Sequence, residues 1–134
     1  VVNIQTIREQ LAVRLVDVLP SGWSATSETT PEHRANLLQV GHARSIVPGT
    51  YRGLRVDLEV FLWVSEAEST ARVAELYGLL SPGDGNVLAA IRSVVAGLDG
   101  VTIAGEVVGG DVGERDEGPS GFIAASILVP LLVK

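Results

Sequence analysis

The chain contains no cysteine, which excludes disulfides, thiol catalysis and thiolate metal sites together. Aromatic residues make up only 4% of its 134 residues, so any cluster of them is informative. Basic residues are the minority: ten Lys and Arg face sixteen Asp and Glu, for a formal net charge of −6. That balance argues against a sequence-specific nucleic-acid reader, which would carry a basic patch. It suits the wall of a passage through which DNA slides without sticking. No apolar run approaches the roughly 18–20 residues of a membrane span, and residues 122–133 read as a buried strand by their β-branched content. Val1, Val2, Asn3 and Ile4 are not a charged leader before an apolar stretch, so no signal peptide is expected. The expectation is a soluble protein made inside the cell, with no membrane contact.

What is present is the composition of a core-forming chain, 46% hydrophobic and 19% charged. The length predicts one domain over residues 1–134. Such a chain buries about two-thirds of its unfolded surface, so it needs no metal or disulfide staple.

The strongest local pattern lies in residues 54–64. Leu54, Val56, Leu58, Val60, Leu62 and Val64 alternate with Arg55, Asp57, Glu59, Phe61 and Trp63. Strict alternation is the mark of a strand with one face on a core. Its other face begins charged and ends in two large aromatics, which a helix, a loop or another subunit must cover.

Around this strand the periodicities predict further elements. Ile4, Ile7, Leu11, Leu15 and Val18 recur at helical spacing, with Asn3 as N-cap and Val2 against Ile7 as a hydrophobic staple. Pro20, Ser21 and Gly22 stop that helix. Residues 23–30 alternate weakly as a short strand before a polar turn at 31–34, and 36–47 read as a second strand with mixed faces. Joined to the strong strand through Pro48, Gly49, Thr50, Tyr51, Arg52 and Gly53, it makes a hairpin roughly 35 Å long, whose tip is free to project. Ser65 and Glu68 form a capping box for a helix with Val73, Leu76, Tyr77 and Leu80 on its apolar stripe. A breaker at 81–85 precedes a helix carrying Val87, Leu88, Ile91, Val94, Val95 and Leu98. Residues 101–108 and 122–133 read as two last strands, joined by a long acidic connection over 109–121. The fold class expected is α+β: a mixed, mainly antiparallel sheet with a long β-hairpin, flanked by an N-terminal helix and two central helices.

Chemistry is hard to find in these residues. His33 and His42 lack the convergent partners of a metal site. Asp57 and Glu59 share a strand face, roughly 7 Å apart, and paired carboxylates can divide acid–base work. They equally suit a solvated or subunit-facing surface with Arg55 or Arg44. Ser45, His42 and Asp57 come without the G-x-S-x-G elbow of a nucleophile. Gly83 and Gly85 lack the third glycine of a dinucleotide turn, and Asp111 to Glu117 lack the ligand alternation of a calcium loop. No enzyme, cofactor or metal is expected. The features that lean toward interaction are Phe61, Trp63 and the two long connections.

The chain resembles the tail-terminator family of long-tailed bacteriophages, with its related minor tail and tail-completion proteins. The residues that carry the resemblance are the first helix ending in Leu19 and Pro20, then Gly22 and Trp23. The long hairpin closing in Val60, Phe61, Leu62, Trp63 and Val64 follows, then Tyr77 through Gly83 and the helix from Val87 to a final strand pair. The resemblance implies a virion protein at the head-proximal end of the tail, assembled in the host cytoplasm. There it would form a homo-oligomeric, hexameric ring that caps the tail tube, stops its polymerisation and offers the head-joining surface. Its partners would be itself, the tail tube protein and a head-completion or neck protein. Phe61, Trp63, Trp23 and Tyr51 are then expected at subunit interfaces. Pro48, Gly49, Thr50, Arg52, Asp111, Glu114, Arg115, Asp116 and Glu117 would form partner-binding loops, and Asp57 and Glu59 would face the lumen. The alternatives are a head-completion or neck connector protein and a small monomeric ligand-binding domain.

Overall fold

A computed structural model describes residues 3–19, 22–27, 36–48, 53–65, 69–80, 86–113 and 122–134. Val2 of the expected staple, the turn at 31–34 and the hairpin tip at 49–52 lie outside the described residues. So do residues 66–68 of the capping box, the breaker at 81–85 and residues 114–121.

The first helix, α1 (Ile4–Leu15), begins where Asn3 accepts a 2.7 Å hydrogen bond from the Gln5 backbone N–H. Ile7, Leu11 and Leu15 are buried on its inner stripe. Val18 is exposed, contrary to the spacing. Past Leu15 the backbone tightens to i→i−3 bonds, Asp17 to Arg14 and Val18 to Leu15, and the tighter turn carries Val18 off the stripe.

Three strands follow α1: β1 (Ser24–Thr26), β2 (Leu37–Pro48) and β3 (Leu54–Ser65). Then come α2 (Ser69–Leu80) and α3 (Val87–Ala96), and finally β4 (Val101–Ile103), β5 (Val108–Gly113) and β6 (Phe122–Val133). Leu76 and Leu79 carry the buried side of α2, with Val73 and Leu80 half-buried. Tyr77 lies about 100° around the helix from Leu76 and is exposed, so it is not part of the stripe. Asn86 caps α3 through its side chain, 2.6 Å from the Leu88 N–H, and Val87, Ile91, Val94, Val95 and Leu98 are buried.

The sheet runs β1-β2-β3-β6-β4, with β5 also paired to β6. Only β1 with β2 is parallel; the other pairs are antiparallel. The fold is therefore α+β, with a mixed, mostly antiparallel sheet and an N-terminal helix. Strands β3 and β6 pair along all their length, from Leu54↔Val133 to Ser65↔Phe122. One face of this pair, with Val56, Leu58, Val60 and Leu62 beside Ile127, Val129 and Leu131, joins the helices in the main core.

Two expectations about the C-terminal half are corrected. Residues 101–108 are not one strand, and 109–113 are not a loop: β4 and β5 are separate strands on the same edge of β6. The break between them sits opposite Pro130. In an antiparallel ladder a residue's N–H and C=O point to the same neighbour. The Pro130 carbonyl accepts from the Ala104 N–H at 2.9 Å, so the donor that proline lacks is missing on that edge. The ladder stops there and resumes at Val108.

Candidate interaction surface

The second face of the sheet is where the sequence-derived residues gather. Its upper part is apolar: Leu37, Trp63 and Ala124 are buried there, with Phe61 and Phe122 half-buried beside them. Trp63 is 4% exposed, and its indole N–H donates to Gln39 Oε1 at 2.9 Å. The Phe61 ring lies 5.8 Å from it, centroid to centroid, tilted by 41°. Within one chain, then, strands β2 and β6 already surround Trp63. Trp23 is on the opposite side, in the main core, so it does not meet this cluster.

The lower part of the same face is polar on β3 and apolar on β6. Asp57 Oδ2 accepts the Ser45 hydroxyl at 2.8 Å, and Arg55 Nε stands 3.9 Å from its other oxygen. Asp57 and Glu59 are half-buried, opposite Pro130 and Leu128. Pro48 ends β2 and is exposed. Tyr51, Gly49, Thr50, Arg52, Glu114, Arg115, Asp116 and Glu117 lie outside the described residues, and Asp111 is placed in β5 by its backbone.

Strand β2 carries two register shifts against β3, one between Val40 and Ala43 and one between Ala43 and Ser45. Each adds a residue on β2, as a β-bulge does, and bends the strand. The first bulge is held from α1. Arg8 is 6% exposed on that helix. Its Nε donates to the Gly41 carbonyl at 2.8 Å and its Nη2 to Val40 at 3.1 Å and Ser27 at 2.7 Å; Nη1 reaches Gln5 Oε1 at 2.6 Å. One guanidinium fork thus joins α1, the end of β1 and the bulged strand. Nothing in its helical position marked Arg8 as buried; the bulge carbonyls that call for it are visible only in the fold.

Gly41 is required at the bulge. A methyl group there would sit 2.9 Å from the Glu59 carbonyl oxygen and 3.3 Å from the Phe61 ring.

Beyond the bulges β2 stands clear of the core. Residues 44–48 are all exposed, Ile46 at 52% although it faces buried Val56 across the pair. Past Gln39, β2 has no strand on its second edge among the described residues. Near the other end of this sheet edge, α1 and the open edge of β1 enclose a groove of about 490 Å³. Ala12, Val13, Val16 and Ala25 give it an apolar lining, with Glu9 at its rim. Val13 is 69% exposed on it. The helical spacing of α1 leaves Val13 off its core stripe, which was the only sequence sign of this groove.

Among the described residues no three His, Cys, Asp or Glu side chains come together as a metal site, and no helix is long and apolar enough to cross a membrane. No protein-family model and no curated protein matches the chain.

Proposed function

We propose that this protein is a structural subunit of a long-tailed bacteriophage, forming a ring that caps the tail tube, stops its growth and receives the head. The observation that carries this reading is the outer half of β2. It is a stretch of strand held away from the core by two bulges, exposing Ile46, Val47 and Pro48. Such an edge is a template for pairing with another chain.

The proposal extends to partners and place. Copies of this chain join in a closed cycle, the tube protein lies on one side of the ring and a head-completion protein on the other. The net charge of −6 keeps DNA moving through the bore, with Asp57 and Glu59 as bore-facing residues.

The test is to add the purified protein to tail tube protein of the same phage during polymerisation and to image the tubes. Tubes that stop short with a ring at one end are expected. Tubes of unchanged length would overturn the capping role. Binding to DNA-filled heads but not to tubes would move the protein to the neck. A monomer that joins neither would leave the ligand-binding reading.

A further inference from the structure

We infer that the exposed end of β2 in one copy of this chain docks into the groove between α1 and β1 of the next copy. The contact deepens the ring reading above and rests on its self-assembly, though not on the phage tail itself.

The two surfaces match in shape and chemistry. The groove is bordered by β1 (Ser24–Thr26), which pairs with no strand other than β2 among the described residues. Exposed residues 45–48 are extended and, among the described residues, pair with no strand other than β3. Laid side by side, the two edges would exchange backbone hydrogen bonds as in strand addition, the Ser27 carbonyl staying with Arg8. Ile46 would then rest on Val13 and Val16, removing three exposed aliphatic side chains from water at once.

Charge points the same way. Glu9 at the groove rim is exposed, and Arg44 at the start of the docking strand is exposed with no ion-pair partner among the described residues. Strand addition brings the guanidinium over the carboxylate.

A groove and a strand are different patches, so the contact is heterologous: each copy offers one of each, and repetition leads to a ring or an open filament. That property gives a test which an isologous contact would fail. One variant carries Val13→Glu in the groove, the other Ile46→Glu on the strand. Both sites are exposed, so each chain should melt with the wild type by circular dichroism; Val16→Glu replaces Val13→Glu if that chain does not fold.

In sedimentation velocity the wild type should form assemblies larger than dimers. Each variant alone should remain monomeric at concentrations tenfold above the wild-type transition. Mixed in equal amounts, the two share one intact groove and one intact strand, so they should form dimers and nothing larger. Glu9→Arg should weaken assembly, and adding Arg44→Glu in the same chain should restore it. Variants that assemble like the wild type, or a mixture that gives no dimer, would overturn the contact. In the first case the ring reading survives with a different interface. A wild-type chain monomeric at every concentration would overturn the contact too, while the tube-capping experiment would still decide the function separately.

Discussion

Trp63 and Gln39 meet through one hydrogen bond, indole N–H to amide oxygen, 2.9 Å long and buried between β3 and β2. From its alternation alone Trp63 needs a cover, by a helix, a loop or another subunit. In the folded chain it packs on the upper part of the second sheet face with Leu37 and Ala124. Trp63→Ala should therefore cost folding stability first, by about 3–5 kcal/mol as for other buried large-to-Ala changes. Trp63→Phe keeps a smaller aromatic ring but loses the donor and should cost roughly 1 kcal/mol more than the lost packing alone explains. Urea denaturation of the three chains measures both. A Trp63→Ala protein as stable as the wild type would contradict the packing described.

The Arg8 fork makes a second prediction. Arg8→Met keeps the aliphatic stem but strips hydrogen bonds from the Gly41, Val40 and Ser27 carbonyls. A loss of about 2–4 kcal/mol is expected, because charged donors to buried carbonyls are worth more than neutral ones. Arg8→Lys has one donor centre where three carbonyls need a fork, and should recover less than half of the loss. Amide exchange should rise locally in β1 and around the bulge before it rises in β3.

Glycine substitutions separate necessity from accident. Gly41→Ala would place its methyl 2.9 Å from backbone oxygen, where no side-chain rotation relieves it, and should cost about 1–3 kcal/mol. Gly78 lies in α2 with nothing near its would-be Cβ. Gly78→Ala should stabilise the protein by roughly 0.5–1 kcal/mol through helix propensity. Thermal melts of the two variants should shift in opposite directions.

Neutralising the polar part of the second face should leave the fold alone. Asp57→Asn changes its contacts with Ser45 and Arg55, but at a site open enough to water that the cost should stay within about 1 kcal/mol. If Asp57 and Glu59 line a DNA passage, particles carrying Asp57→Asn with Glu59→Gln should assemble at normal yield and eject DNA more slowly at low salt. Ejection at the wild-type rate at every salt concentration would remove both residues from the bore.

How far the sequence discloses this fold varies by element. Strand β3 was legible in full because it carries no bulge of its own, pairs with β6 without irregularity and has an uninterrupted inner face: Leu54 through Val64 by twos. Strand β2 looked mixed for a physical reason. Leu38, Val40, Ala43, Ile46 and Pro48 are the residues opposite Leu62, Val60, Leu58, Val56 and Leu54, and the steps of three at the bulges erase the period of two. Strand β5 hid behind Gly109, Gly110 and Gly113, which carry no side-chain pattern; only half-buried Val112 hinted at it. Of the interaction surface, the aromatics were visible but their partners were not. Gln39 and Ala124 are 24 and 61 positions from Trp63 (63 − 39 and 124 − 63), and no local period links them.

The two bulges also set a rule for how this strand can change length. Each inserts one residue on β2 without turning the strand over, so Ala43 faces Leu58 between them as Val40 faces Val60 before them and Ile46 faces Val56 beyond. Losing one residue from 41–44 would remove one bulge and leave Ile46 opposite Val56 and Ser45 opposite Asp57. Losing two would merely straighten the strand. Among natural variants of this chain, that stretch should therefore tolerate the loss of one or two residues, whereas a third loss, with no bulge left to absorb it, would turn the outer half over.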